Sequence, residues 1–296
     1  MPEPTAPDDV DAPVLSEAAQ REALADIADL IEEHYVFTDV GAACAAAVRA
    51  LPPQPSDVAA ADFAARLTTH LRETDRHFAV AWGAASGPRA PATESAEPAM
   101  SATVVDEVGI LTIRRFDDAD DAAAARVATA CLAALDPCRA VIIDVRDNGG
   151  GWPSMVEFVL APFFGPDPVR VITFTHAQHP DLPTWTRPNG QHSHLRQLPV
   201  FAIVNEHTAS AAECLAYVLQ STGRATITGH RTVGAANPVK VFPGPLGCEV
   251  FVPTGAPIDP HTGTNWEGIG VAVDVSVDDA DALARTLELA VEARRA

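Results

Sequence analysis

Residues 200–217, VFAIVNEHTASAAECLAY, run from an apolar segment through a short polar turn directly into a helical pattern. The first five residues, 200–204, form a continuous apolar run with the length and β-branched character of a buried parallel strand. From Ala211 onwards the apolar residues recur at helical spacing. The pattern therefore predicts a buried strand joined to a helix, with Ser210 at the turn between them.

Ser210 has two possible roles at this position. Its hydroxyl is predicted to lie near the positive end of a helix dipole and beside unpaired backbone N–H groups, which suits stabilisation of an oxyanion. A serine at a helix start is also a common N-cap residue. Cys214, one turn further on, is interpreted as a small buried hydrophobic residue rather than a nucleophile.

The charge of the chain limits its partners. Forty acidic residues against 20 Lys and Arg give a formal net charge of −20. Such a surface disfavours nucleic acid and anionic membranes as partners. No apolar run reaches the length of roughly 18 residues typical of a membrane-spanning helix, and the acidic, proline-rich start is unlike a signal peptide. We expect neither a nucleic acid nor a membrane partner.

The five cysteines are odd in number and widely scattered. This distribution is typical of a reduced cytoplasmic protein rather than of a disulfide framework. No Cys/His cluster has the spacing of a structural zinc site, and the nearest candidate, His192 with His194, is interpreted as part of a polar loop. We expect no metal and no cofactor.

Composition and periodicity divide the chain into four segments. Residues 1–15, rich in Pro, Asp and Ala, are predicted to be a disordered tail. Residues 16–82 carry three amphipathic helical patterns and a short strand that begins at His77. Residues 83–102 are a linker of Gly, Ala, Pro and Ser, too short for a domain of its own. Residues 103–296, where strand and helix patterns alternate, are predicted to be the larger domain.

A second informative turn follows the buried strand predicted at residues 140–145. The sequence RDNGGGWPSMVEFV places three consecutive glycines, 149–151, where bare backbone can approach a ligand and present N–H groups. Neither the spacing of a dinucleotide-binding loop nor the lysine of a P-loop is present, so an oxyanion pocket is favoured. Asp144, Arg146 and Asp147 are predicted to pair with one another or with the turn and so to hold its shape.

Five motifs in order resemble the tail-specific, or carboxy-terminal processing, serine peptidases. The resemblance is greatest to the branch that includes the tricorn core protease and the modules of interphotoreceptor retinoid-binding protein. It covers nearly the whole ordered chain. The motifs are YVF at 35–37, DRHFAV at 75–80, IIDVRDNGGG at 142–151, TASAAE at 208–213 and GTNWEGIGVAVDV at 263–275.

The resemblance implies a mixed α/β fold, in which a small helical bundle precedes a ββα-spiral domain of the crotonase and Clp type. Ser210 matches the nucleophile of the family. The backbone N–H groups of Gly149, Gly150, Gly151 and Ala211 match the oxyanion hole.

The same resemblance distinguishes two possible bases. In the processing branch the base is a lysine about 25 residues after the serine, but Ala235 stands at that place, and the single lysine of the chain is Lys240. In the tricorn branch the base is a histidine oriented by a glutamate, and His77 and Glu267 stand at the matching positions. The resemblance thus implies a triad of Ser210, His77 and Glu267, which is chemically sound.

We expect neither the peptide-tethering PDZ domain of the processing branch, for which the linker at residues 83–102 has no room, nor the propeller domains of the tricorn protease. The implied function is a serine hydrolase that acts on a peptide, a small acyl compound or a hydrophobic substrate. One alternative is a binding module for a retinoid-like or lipid-like molecule. Another is an enzyme that uses the oxyanion hole for cyclisation or transfer, since a fold does not fix a function.

Overall fold

The computed structural model describes residues 13–82, 98–188 and 191–295. Most of the tail and of the linker predicted from the sequence lies outside these ranges. The chain divides into two compact units, one formed by residues 1–89 and 238–255, the other by residues 90–237 and 256–296.

The described residues form seven α-helices and fourteen β-strands, which are numbered in chain order. In that order they are β1 (Val14–Leu15), α1 (Glu17–His34), α2 (Thr38–Ala50), β2 (Val58–Ala59), α3 (Ala60–Leu71), β3 (Ala79–Trp82), β4 (Met100–Val105), β5 (Val108–Ile113), α4 (Ala122–Ala133), β6 (Ala140–Asp144), α5 (Pro153–Phe164), β7 (Arg170–His176), β8 (Leu182–Trp185), β9 (Val200–Val204), α6 (Ala211–Ser221), β10 (Thr226–Gly229), β11 (Val239–Pro243), β12 (Cys248–Pro253), β13 (Gly255–Ile258), β14 (Val275–Ser276) and α7 (Asp279–Ala293).

The first unit combines three helices with two small antiparallel sheets. Helix α1 begins after Ser16, whose side chain accepts a hydrogen bond from the N–H of Ala19, and it buries Leu24, Ile27 and Ile31. Strands β11, β12 and β3 form a sheet in that order, with Val250 of β12 opposite Val80 of β3. This pairing is why residues 238–255 group with the N-terminal residues, whereas the sequence pattern alone places them in the larger domain.

The second unit is built on a six-stranded sheet with the order β14-β10-β9-β6-β5-β4. Only the β4–β5 hairpin is antiparallel, and the other neighbours are parallel. Strand β9 is buried along its whole length, as its continuous apolar run predicts. The mixed α/β fold expected from the sequence is confirmed.

Helices cover both faces of this sheet. The larger core lies between one face and residues of α4, α5 and α6, while Ala282 and Ala290 of α7 pack on the other face. Because β6 and β9 are parallel neighbours, with Asp144 opposite Ile203, the turns that follow them emerge at the same edge of the sheet. That edge carries both of the turns singled out in the sequence.

No helix in the described part of the chain is long and apolar enough to cross a membrane.

Candidate active site

Ser210 lies exposed at the N-terminus of α6 in an unusual backbone conformation. Its φ is 53° and its ψ is −119°. An ordinary N-cap residue has an extended backbone, whereas a positive φ in a residue other than glycine costs on the order of 1–3 kcal/mol. A sharp, strained turn between strand and helix is the geometry that presents a nucleophilic hydroxyl above a sheet. The conformation therefore distinguishes Ser210 from a simple helix cap.

Buried hydrogen bonds hold the turn that leads to Ser210. The hydroxyl of Thr208 donates to the carbonyl oxygen of Val145 at 2.9 Å and accepts from the N–H of Asn205 at 3.0 Å. The N–H of Ala209 donates to the carbonyl oxygen of Asn148 at 2.9 Å. The serine turn is thus fastened to the end of β6 and to the glycine turn.

The glycine turn lies directly against Ser210. Gly150 is buried with a φ of 107°, and a Cβ atom placed on it would lie 2.7 Å from the Cβ of Ser210 and 3.0 Å from the nitrogen of Ala211. A side chain at Gly151 would overlap the carbonyl oxygen of Phe116. Glycine is required at both positions because the backbones approach so closely.

The backbone donors of this turn are not equivalent. The N–H of Gly150 donates to Oδ1 of the buried Asn148 at 2.8 Å, and the amide of Asn148 donates to the carbonyl oxygen of Ile113. The N–H of Gly150 is therefore used within the turn. Gly149 and Gly151 are exposed, and Ala211 is the first residue of α6, whose N–H has no acceptor within the helix.

Glu213 connects the serine turn to the loop around residue 234. This fully buried carboxylate accepts hydrogen bonds from the N–H groups of Ser210 (2.9 Å), Gly234 (2.6 Å) and Ala235 (2.8 Å) and from the hydroxyl of Thr232 (2.5 Å). Burial raises the pKa of Glu213, while these four hydrogen bonds act in the opposite direction. The Ser-x-x-Glu spacing of a capping box was the signal in the sequence that could have identified this residue.

Glu267 lies half-buried in a loop that packs against the same region. Its Oε2 accepts from the N–H groups of Ala236 at 2.8 Å and Asn237 at 3.0 Å. The N–H of Gly268 donates to the carbonyl oxygen of Gly234 at 2.9 Å. The second unit therefore links Ser210, the glycine turn and the Glu267 loop through one set of hydrogen bonds.

His77 belongs to the first unit, immediately before β3. Its side chain is 20% exposed, and Nδ1 lies 3.0 Å from Oδ1 of the buried Asp75. The same oxygen accepts from the N–H of His77 at 2.9 Å. The family motifs do not distinguish Asp75 from its neighbours, although the Asp-x-His spacing is a signal in the sequence that could identify it.

Two of the charged residues beside the glycine turn pair with one another, as predicted. Nε and one terminal nitrogen of Arg146 donate to the two oxygens of Asp144 at 3.0 Å and 2.7 Å, and this pairing raises the pKa of Arg146. The N–H of Asp147 donates to Oδ1 of Asn205 at 3.1 Å. The carboxylate of Asp147 accepts from the amide of Asn205 at 2.9 Å, so the predicted pairing holds for Asp144 with Arg146, while Asp147 contacts the serine turn instead.

The cysteines are all free thiols. Cys214 is buried, and burial raises its pKa far above the ordinary range. A thiol that stays protonated is a poor nucleophile. The burial of Cys214 agrees with its interpretation as a small hydrophobic residue.

Known structures share this fold. The photosystem II D1 C-terminal processing protease is similar over 91% of this chain and 97% of its own, with a TM-score of 0.60 and 16% identity. A candidate peptidase from Parabacteroides merdae ATCC 43184 is similar over 92% of this chain and 96% of its own, with a TM-score of 0.71 and 17% identity. A lipoprotein from Streptococcus agalactiae gives a TM-score of 0.57 at 14% identity, over 92% and 96% of the two chains.

These structural similarities show that the chain has the fold of a carboxy-terminal processing protease. The sequence profile of Peptidase family S41 matches residues 107–277, more than half of the chain. The chain belongs to peptidase family S41. The resemblance drawn from the five motifs is thereby confirmed at the level of the family.

Proposed function

We propose that the protein is a serine peptidase that cleaves peptide substrates through an acyl-enzyme on Ser210. The observation that carries this proposal is the exposed, positive-φ conformation of Ser210 against Gly150. Such a conformation costs free energy that an ordinary helix cap would not require. Membership of a peptidase family supports the same reaction class.

In the proposed mechanism His77 acts as the general base. Nε2 of His77 accepts the proton of the Ser210 hydroxyl as Oγ attacks the carbonyl carbon of the substrate, and the imidazolium then returns the proton to the leaving amine. A water molecule, activated by the same imidazole, releases the acyl group. Glu267 is the carboxylate that the resemblance supplies to orient His77.

The proposed oxyanion hole uses backbone N–H groups from both turns of the second unit. Ala211 supplies the donor at the start of α6, where the helix dipole also favours negative charge. Gly149 and Gly151 supply candidates from the glycine turn. Gly150 contributes by its lack of a side chain rather than by its N–H, which Asn148 occupies.

The position of the single lysine supports histidine as the base. Lys240 is exposed in β11 of the first unit. Ala235, which stands at the place of the lysine in the processing branch, donates its N–H to Glu213 in the second unit. A serine and lysine dyad at the usual place is therefore not available to this chain.

The test is hydrolysis of a library of quenched fluorescent peptides by the wild type and three variants. Ser210→Ala and His77→Ala should each lower kcat by about 10³-fold or more, with residual catalysis from binding and the oxyanion hole. Ser276→Ala, which alters an exposed serine on β14, should match the wild type. Hydrolysis that survives in Ser210→Ala would contradict the proposal.

The binding-module and transfer alternatives predict other results in the same experiment. A module for a hydrophobic molecule would leave every peptide intact, whatever residue stands at position 210. A transfer enzyme would consume peptide only when a nucleophile other than water is added. No contact among the described residues favours either alternative over hydrolysis.

A further inference from the structure

Asp75 holds both the backbone and the ring of His77 with one oxygen atom. Oδ1 of Asp75 accepts the N–H of His77 at 2.9 Å and lies 3.0 Å from Nδ1 of the ring. The two residues are two positions apart, so the carboxylate and the imidazole form one local turn within the first unit. One contact that orients the ring thus comes from its own segment of the chain.

The other oxygen of Asp75 is held as well. Oδ2 accepts a hydrogen bond from the hydroxyl of Tyr35 at 3.3 Å. Tyr35 follows α1 directly, is buried and stacks on Phe78 with ring centroids 5.1 Å apart. The side chain of Asp75 is itself fully buried. The carboxylate therefore has a fixed position, which an orienting residue requires.

This arrangement determines which ring nitrogen of His77 carries the proton. An ionised carboxylate can only accept hydrogen bonds, so Nδ1 must be the donor. The lone pair of a neutral imidazole then lies on Nε2. A histidine that is to remove a proton from a serine hydroxyl needs that tautomer.

Oε2 of Glu267 accepts from the N–H groups of Ala236 and Asn237 in the second unit, so this oxygen holds the loop at residues 236–237. We infer that Asp75 is a positioning residue that fixes the tautomer of His77 and stabilises its imidazolium. The inference rests on the proposed function, in which His77 is the base. It adds Asp75 to the proposed site as the residue that fixes the tautomer of His77.

The first test reads the tautomer directly in the resting protein. Histidine labelled with ¹⁵N is incorporated into the full chain, and the His77 signals are assigned by their loss in His77→Gln. Wild type and Glu267→Gln should both show a proton on Nδ1 and none on Nε2 at a pH where the ring is neutral. A proton on Nε2 in the wild type would overturn the inference without any variant at position 75 having to fold.

The second test compares two isosteric amides, Asp75→Asn and Glu267→Gln, in peptide hydrolysis. The asparagine can place its NH₂ group against Nδ1 of His77, which puts the ring proton on Nε2 and blocks general-base catalysis. It can instead place its uncharged oxygen against Nδ1, which stabilises the imidazolium less than a carboxylate does. We expect kcat to fall about 10²- to 10⁴-fold in Asp75→Asn with KM changed less than about threefold, and a smaller loss in Glu267→Gln.

Tyr35→Phe provides a milder variant that leaves the carboxylate in place. It should lower kcat by about 2- to 10-fold, since it removes one hydrogen bond to Asp75. If Asp75→Asn lowers the melting temperature but retains the kcat of the wild type, Asp75 only supports the turn and the inference fails. Failure of the proposed function is a separate result, namely hydrolysis that does not depend on Ser210.

Discussion

Replacement of Glu213 by glutamine should loosen the serine turn although the two side chains have nearly the same shape. Each carboxylate oxygen accepts two hydrogen bonds, Oε1 from Thr232 and Gly234 and Oε2 from Ser210 and Ala235. The NH₂ group of a glutamine must take one of these places. In either orientation at least one buried donor then faces another donor.

The cost follows from the number of donors left without an acceptor. With the NH₂ group in the place of Oε1, the hydroxyl of Thr232 can turn to accept from it, but the hydroxyl proton and the N–H of Gly234 then both lose their acceptor. In the other orientation the N–H groups of both Ser210 and Ala235 lose theirs. At about 1–3 kcal/mol for each buried unsatisfied donor, either orientation should cost at least about 2 kcal/mol.

Hydrogen exchange measures this cost where it arises. A local loss of about 2 kcal/mol corresponds to roughly 30-fold faster exchange of the amides of Ser210, Gly234 and Ala235. Glu206→Gln, at an exposed position in the same turn, serves as the control and should leave these rates unchanged. Wild-type exchange rates in Glu213→Gln would refute the reasoning, because they would mean that the carboxylate does not hold the turn.

Three further predictions follow from particular contacts. Gly150→Ala should abolish hydrolysis, since its Cβ would lie 2.7 Å from that of Ser210, whereas Gly149→Ala, with nothing within 4 Å, should retain most of the rate in the same assay. Iodoacetamide at pH 8 should neither inhibit the native protein nor modify Cys248, whose pKa burial raises to about 11; rapid labelling in a mass spectrum would contradict this. Burial raises the pKa of Glu213, so between the unfolded and the folded pKa the folded state binds a proton that the unfolded chain has released. The contribution of Glu213 to the free energy of unfolding therefore falls as the pH rises through this interval. Denaturant titrations across that interval should show this slope in the wild type and lose it in Glu213→Gln.

The elements with strong local patterns could be predicted from the sequence. Strand β9 spans Val200–Val204, and α6 begins at Ala211, as the apolar run and the helical spacing indicate. In each case the signal lies within a single strand and the residues that follow it.

Features that depend on distant partners could not be predicted in this way. The strand pattern near residue 250 is visible in the sequence, but its pairing with β3, some 170 residues earlier, is a tertiary choice that no local pattern encodes. The use of the Gly150 N–H by Asn148 and the positive φ of Ser210 are likewise set by packing. A serine at a helix start looks the same in sequence whether its backbone is relaxed or strained.

Asp75 lies within a family motif, but its role does not follow from the motif. The segment DRHFAV matches the family through His77, and the resemblance implies Glu267 as the acid that orients this histidine. In the structure, the carboxylate of Asp75, two residues before His77 in the sequence, lies 3.0 Å from Nδ1 of the imidazole ring. Aspartate two residues from a histidine is common enough that spacing alone would not have separated a turn from a catalytic pair.

The most direct test of Ser210 as the nucleophile is the site of reaction with a fluorophosphonate probe. Intact mass and peptide mapping of the full chain should show one probe per molecule, bonded to Ser210, with labelling lost in Ser210→Ala and much slower in His77→Ala. Ser276→Ala should be labelled like the wild type. A probe bonded to another residue, or a folded protein that does not react, would contradict the assignment of Ser210 as the nucleophile.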